Sequence, residues 1–478
     1  MKWVIICVFL VSCSSAEKII IVGAGAAGIA AASRLLDHNI TDFRILEAED
    51  RIGGRINSLY LGNGFADLGA QYIHGEKDNL VYNLAKDYVK HDKNSEYSSV
   101  FYGGSRKIEP NLVNEYSSVM DEIADIEDAL TIGEVFQARY NSIIQEKYKN
   151  DSEMVDYSKN FLRTAESMVL SVEGASRWLK PSAKTNYKEC EGDQVSSWGG
   201  LGYKTILDIL LRNFPNKTGY NIEKHLSLGK TVSKITQLNN TIKIRCEDSS
   251  EYDADYVVFT PSLGVLKNDH KKLFEPNLDK VKVDAIEKLG FDGVMKIIFE
   301  FSNSWWKGVD DILFVWTEEQ KKDMMRDISF GPIKNGEHWL SWFYSVGEAP
   351  NNSNVLIGWL VGPMVPDVEK LTAEEMKNGT LHAMKKAFGR NFNVTEPVKV
   401  IHSKWCTNPH FRGTYSYETV NSLNHCQDTL SQPINGIDGK PRILFAGEAT
   451  SPRRFSTVDG AIETGFREAD RLVKILKL

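Results

Sequence analysis

Gly23, Gly25 and Gly28 stand in G-x-G-x-x-G spacing, after the β-branched run Lys18–Val22 and before AGIAAASRLL. Such a loop lets backbone N–H groups approach a pyrophosphate at a helix start, because glycine has no Cβ to hold the ligand off. Ala27 lies within the same turn. Glu47 ends the next apolar stretch, FRILEAE. A carboxylate about 20 residues beyond the glycines can accept hydrogen bonds from ribose hydroxyls. Arg51, Gly53, Gly54 and Arg55 follow as R-x-G-G-R. The glycines permit close backbone approach, and an arginine presents a fork of donors to phosphate. Together these residues predict a dinucleotide site. A separate signal is Lys296, inside the apolar run FDGVMKIIFEF. Burying an ammonium is costly unless its pKa falls or it finds partners, so Lys296 is a candidate for handling a proton. The plain alternative is a lysine snorkelling from a strand end.

These residues need particular elements beneath them. KIIIV reads as a parallel strand buried on both faces, followed by a helix whose small residues allow close packing. FRIL supplies a second strand. Far along the chain, ILFAGEA reads as a strand that delivers Gly447 and Glu448, and Ala461 to Leu472 as a closing helix. Between them, KTVSKITQL and TIKIRCED alternate as half-buried strands, and ADYVVFTPSLGVL follows. The expected fold is mixed α/β: a discontinuous Rossmann-like domain with a second domain of sheet plus helices. The first takes residues 17–75, 220–265 and 430–478; the second takes 76–219 and 266–429. Residues 76–219 read as largely helical, and their acidic run DEIADIEDAL as a solvated face. KIIFEF, HWLSWFYSV and VLIGWLVG read as strands of a sheet that roofs a pocket.

The R-x-G-G-R element after Glu47, with ILFAGEATSPRRFSTVDGAIETGFREADRL at the other end, resembles the signature of FAD-dependent amine oxidases. DLGAQYIHG, histidine included, resembles its counterpart in animal-type acetylpolyamine and spermine oxidases. The resemblance implies FAD as cofactor. It places Gly69 and Ala70 beside the flavin, Val232 at the adenine, Glu448 on the ribityl chain, and Trp405 next to the ring. Gly447, Thr457 and Val458 belong to the same cofactor wall. Lys296 would hold a water near flavin N5, and His74 would face the pocket, where an imidazole can hold or deprotonate an amine. Tyr415 would wall the substrate channel, and Thr457 would also meet substrate. Monoamine oxidases place a tethering cysteine where this chain has Thr414, so the FAD is expected without a covalent link. Many polyamine oxidases have a histidine at the position of Asp459. That carboxylate could select cationic substrates or signal altered activity, and Glu191 is a further candidate to bind substrate. The implied reaction is hydride transfer from a polyamine (spermine, spermidine or an N1-acetyl derivative) to flavin, imine hydrolysis, and reduction of O2 to H2O2. Two rivals stay open: a secreted L-amino-acid oxidase using Arg453 or Arg454 for a carboxylate, and a catalytically degenerate secreted flavin-binding protein.

Composition bounds the partners. A net charge of −7 disfavours a nucleic-acid partner, which would want a basic face. Lys2, the apolar stretch Trp3–Val11, and small residues at Ser14 and Ala16 predict a secretory signal at 1–16, too short to span a bilayer. Sequons at Asn39, Asn150, Asn216, Asn239, Asn351, Asn378 and Asn393 agree with a secreted glycoprotein without a membrane anchor. Cys7 and Cys13 would leave with the signal. Cys190, Cys246, Cys406 and Cys426 remain, enough for up to two disulfides in an oxidising compartment. No C-x-x-C pair or His cluster suggests a metal site, and the oligomeric state is left open.

Overall fold

A computed structural model of the chain describes residues 17–91, 99–103, 106–107, 111–309, 311–422 and 425–476. The expected signal at 1–16, with Cys7 and Cys13, lies outside the described residues. The strand Glu17–Val22 pairs in parallel with Phe43–Leu46 on one side and Glu251–Phe259 on the other. Pro441–Phe445 adds to Glu251–Phe259, again in parallel. Ile19, Ile20 and Ile21 are fully buried, as a strand covered on both faces requires. The antiparallel strands Val232–Leu238 and Thr241–Cys246 extend this nine-stranded sheet. In Thr241–Cys246 burial alternates strictly, with Ile242, Ile244 and Cys246 inward.

Helix Ala26–Asp37 packs on this sheet against the closing helix Val458–Leu476. Their approach depends on small residues: a Cβ on Gly465 would lie 2.2 Å from the Ala27 carbonyl oxygen. Arg34 and Asp470 pair across them at 2.7 Å. One surface, drawn from both ends of the chain, is thereby fixed.

A second, seven-stranded sheet is built around Met295–Glu300, which pairs antiparallel with Asn352–Leu360 and Lys399–His402. Its large buried side chains include Trp306, Trp342, Phe314, Phe343 and Phe388. The helices Ile132–Tyr148 and Ser152–Glu173 share that core. Ser152–Glu173 starts at its cap Asp151 and stops at Gly174, whose φ of +70° supplies the left-handed residue that ends many helices. That stop leaves Glu173 at the helix end. In the acidic run, Asp121, Glu122, Asp125, Glu127 and Asp128 are all exposed.

Cys190, Cys246, Cys406 and Cys426 are all free thiols, three of them buried as small apolar groups. Among the described residues no helix is long and apolar enough to cross a membrane. Nor does any group of His, Cys, Asp and Glu there gather to hold a metal ion.

Candidate active site

A single cavity of about 1070 Å³ is lined by residues from both sheets. Pockets for small ligands run to about 1,000 Å³, so this one has room for a dinucleotide and a substrate together. Gly23, Gly25, Ala26 and Ala27 line it at the start of helix Ala26–Asp37. The N-cap, Gly25, offers no side-chain cap, so the first-turn N–H groups remain open to an anion. Gly23 has φ of +97°, and a Cβ on Gly28 would sit 2.0 Å from the Gly23 carbonyl oxygen. Only glycine fits this turn, and it fits a pyrophosphate. Glu47 lines the same cavity and accepts from the backbone N–H of Ala24 at 2.6 Å and Glu49 at 2.8 Å. Burial raises its pKa while these hydrogen bonds oppose the shift, and its oxygens keep lone pairs for ribose hydroxyls. Val232 also faces the cavity.

The two arginines of the R-x-G-G-R element divide their work. Arg51 donates to the carbonyls of Ile52, Gly54 and Ile56 and so braces the loop itself. Arg55 reaches Glu448 at 2.9 Å and the Thr414 carbonyl at 2.6 Å. Glu448 also accepts from Ser416 Oγ at 2.6 Å and Ser456 N at 2.8 Å. Gly447, Glu448, Thr457 and Val458 line the cavity, and Thr457 Oγ1 accepts from Gly460 N to cap the closing helix.

Lys296 stands on the strand Met295–Glu300, next to the edge strand of the second sheet, and is 5% exposed. Its Nζ donates to the carbonyls of Asp67 at 3.1 Å and Gly69 at 2.8 Å, and to Gln71 Oε1 at 2.6 Å. The Trp359 ring lies 4.7 Å away. Burial lowers its pKa, and the nearby Asp67 carboxylate opposes that shift; Asp67 is itself raised by burial. Three acceptors suit an ammonium while burial favours the neutral amine, so the group is poised to exchange a proton. The segment it holds carries Gly69 and Ala70 along the cavity. A Cβ on Gly69 would meet the Arg55 carbonyl oxygen at 1.8 Å. Trp405 donates to the Leu68 carbonyl at 3.1 Å and packs edge-on against Phe411.

His74 is exposed into the cavity. Its Nδ1 lies 2.6 Å from the Gln194 carbonyl, a partner that requires Nδ1–H and leaves Nε2 free to accept a proton. Burial among protein atoms lowers its pKa, and the Gln194 hydrogen bond opposes the shift. Tyr415 lines the cavity with its hydroxyl donated to the Ser171 carbonyl, and burial raises its pKa. Thr414 lines the cavity as well.

One substrate assignment changes. Glu191 does not line the cavity; it pairs with Lys77 at 3.0 Å on the surface, 77% exposed. Asp459 lines the cavity, but its carboxylate accepts from the backbone N–H of Leu80 and stands 3.6 Å from Arg454. It is a bound carboxylate rather than a free one. The cavity carboxyls that sequence reasoning missed include Glu173 and Glu189. Glu173 has no hydrogen-bond or ion-pair partner among the described residues, and burial, helped by Glu418, pushes its pKa up to about 7. Its only sequence signal is a glutamate before a helix-ending glycine, which marks a stop and not a site. Arg454 lines the cavity and Arg453 does not.

The model of the family described as flavin containing amine oxidoreductase matches residues 26–473, and the chain belongs to that family. It is an enzyme, an oxidoreductase acting on amines, with FAD as its cofactor. Among similar proteins is "Probable polyamine oxidase 5" of Arabidopsis thaliana, 26% identical over 96% of this chain and 98% of the relative. "Peroxisomal N(1)-acetyl-spermine/spermidine oxidase" of Bos taurus is 28% identical over 96% and 95%, and its Homo sapiens counterpart 27% over 96% and 95%.

Proposed function

We propose that this enzyme oxidises polyamines, free or N1-acetylated, to an aldehyde and an amine with release of H2O2. The observation that carries this reading is the partnerless carboxyl of Glu173 in the cavity that also holds Lys296 and the glycine turn. A half-buried carboxyl without a partner suits a substrate ammonium, which supplies the missing charge and donors together. The glycine turn, Glu47 and Glu448 would hold FAD, whose chemistry would be acceptance of hydride from the carbon next to nitrogen and delivery of the electrons to O2. His74 Nε2 takes a proton from the incoming amine, since only a neutral nitrogen has the lone pair that assists hydride departure. Lys296 holds residues 69–71 along the cavity and is the group placed to exchange a proton there. Trp405 and Tyr415 wall the reacting atoms from bulk solvent and orient the chain. Thr414 offers no thiolate for a flavin tether, so the FAD is held non-covalently.

We also read the protein as secreted and glycosylated. All seven sequon asparagines are exposed, which suits glycan attachment. An oxidase that uses O2 needs no nicotinamide pool and can work outside the cell. A peroxide assay on the purified FAD enzyme tests the activity, with spermine, spermidine, their N1-acetyl forms and L-amino acids as the panel. Turnover of amino acids alone would replace the polyamine reading.

A further inference from the structure

Asp459 lies in the first turn of the closing helix Val458–Leu476, beside Thr457 and Val458 in the cavity wall, and is 6% exposed. Its Oδ1 accepts from the backbone N–H of Leu80 at 2.5 Å, across 379 residues of sequence. Leu80 opens the helix Leu80–Ala85, whose N-cap is Asn79. First-turn N–H groups have no partner within their own helix, and a helix of six residues is too short to hold its place unaided. The carboxylate answers that need, and a hydrogen bond to a charged acceptor is about twice as strong as a neutral one. A carboxylate reserved for a substrate's charge would keep its oxygens open to the cavity. Here one is spent on Leu80 and the other faces Arg454 at 3.6 Å.

The residue held by Asp459 stands close to His74. Asn79, 3% exposed, donates Nδ2 to the His74 carbonyl at 2.9 Å, while its Oδ1 accepts from the Tyr82 N–H at 3.0 Å. The loop 74–79 is thereby closed on itself, and the Leu80 bond ties it to the closing helix. On the other side, residues 190–194 hold it. The His74 ring meets the Gln194 carbonyl at 2.6 Å, and the Gly75 N–H donates to the Asp193 carbonyl at 2.8 Å. A Cβ on Gly75 would lie 2.2 Å from the Cys190 carbonyl oxygen, so the two backbones are in direct contact. Asp459 thus joins the helix at the cofactor side of the cavity to the loop that carries the imidazole. Displacing a catalytic group by about 1 Å costs on the order of 100-fold in rate.

We infer that Asp459 is a positioning residue: by holding the Leu80 N–H it keeps His74 in register with the closing helix. The inference rests on the reading that His74 takes the proton of the incoming amine, and adds to it the group that sets where the imidazole stands.

The test follows anaerobic flavin reduction by spermine in the FAD-loaded wild type, Asp459→Asn, Asp459→Ala, His74→Ala, and a variant combining Asp459→Ala with His74→Ala. Asparagine keeps a side-chain oxygen for the Leu80 N–H and loses the charge, whereas alanine loses both. The pairing with Arg454 is lost in either, so it cancels in the comparison. Asp459→Ala should lower the limiting reduction rate about 10- to 100-fold with little change in KM, and should speed amide exchange at Leu80. Asp459→Asn should stay near the wild type in all three measurements. On the His74→Ala background, Asp459→Ala should add no further loss. Losses of equal size in Asp459→Asn and Asp459→Ala, in rate or in KM, would assign the role to the charge and overturn the inference. So would a wild-type rate in Asp459→Ala, or losses that multiply in the combined variant. A wild-type rate in His74→Ala would defeat the His74 reading and this inference with it, while polyamine turnover stands. Failure of spermine and its N1-acetyl form to reduce the flavin would defeat the polyamine reading as well. If Asp459→Ala does not fold, Asp459→Asn decides: wild-type rate, KM and Leu80 exchange support the inference, and a loss in rate or KM overturns it.

Discussion

Lys296 is buried and Glu173 half-buried, and the protein treats the two ionisable groups differently. Lys296 is ringed by three acceptors, whereas Glu173 has none of its donors supplied. Lys296→Met keeps the apolar stem and removes the proton-carrying end. FAD should stay bound, while flavin reduction by an amine or reoxidation by O2 should slow about 100- to 10,000-fold. Single-turnover measurements of each half-reaction check this, and wild-type speed in both would leave Lys296 a structural lysine. Glu173, with its pKa pushed up to about 7, is neutral below that pH and charged above it. KM for a cationic amine should therefore fall as pH rises through about 7, and Glu173→Gln should raise KM and flatten the profile. A variant that keeps the same pH step would assign the titration to another group. Lys296 was legible because a lysine in an apolar run contradicts its surroundings. Glu173 was not, because a glutamate at a helix end looks like any other.

The elements carry the cofactor cradle. A Cβ on Gly28 would press on the Gly23 carbonyl at 2.0 Å and force the turn away from its helix. Gly28→Ala should purify with a markedly lower flavin-to-protein absorbance ratio than wild type, and full flavin content would show that the turn can give way. Arg55 and Glu448 join a loop near the start of the chain to the segment before its closing helix. Arg55→Met leaves Glu448, 5% exposed, without its cation and should cost about 2 kcal/mol of stability in denaturant unfolding of the apoprotein. The strands themselves were legible as apolar runs with the period of a sheet. Which of the two arginines braces the loop and which reaches Glu448 was not, since Glu448 lies 393 residues away in the sequence.

Over the whole molecule, the site exists only where two sheets and both ends of the chain meet. Non-covalent retention follows from Thr414: acid precipitation of the yellow protein should leave the flavin in the supernatant, and flavin on the pellet would reveal a tether elsewhere. Export is tested by expression in a eukaryotic secretory host. The chain should reach the medium beginning near Glu17 with glycans on some of the seven exposed asparagines, and a glycan-free intracellular product starting at Met1 would refute it.

The sequence by itself determined the cofactor turn, its strands and helix, and the suspicion attached to Lys296. Each of these is a local pattern: glycine spacing, a β-branched run, or one residue at odds with its neighbours. Tertiary structure alone decided which charges are free. Lys296 meets Asp67 across 229 residues of sequence, and Asp459 meets Leu80 across 379. Such pairings turned Asp459 into a bound carboxylate, sent Glu191 to the surface, left the four thiols unpaired, and brought Glu173, Glu189 and Arg454 to the cavity wall. A side chain's charge is fixed by its own chemistry, but whether it is available to a substrate depends on partners that folding brings from far along the chain.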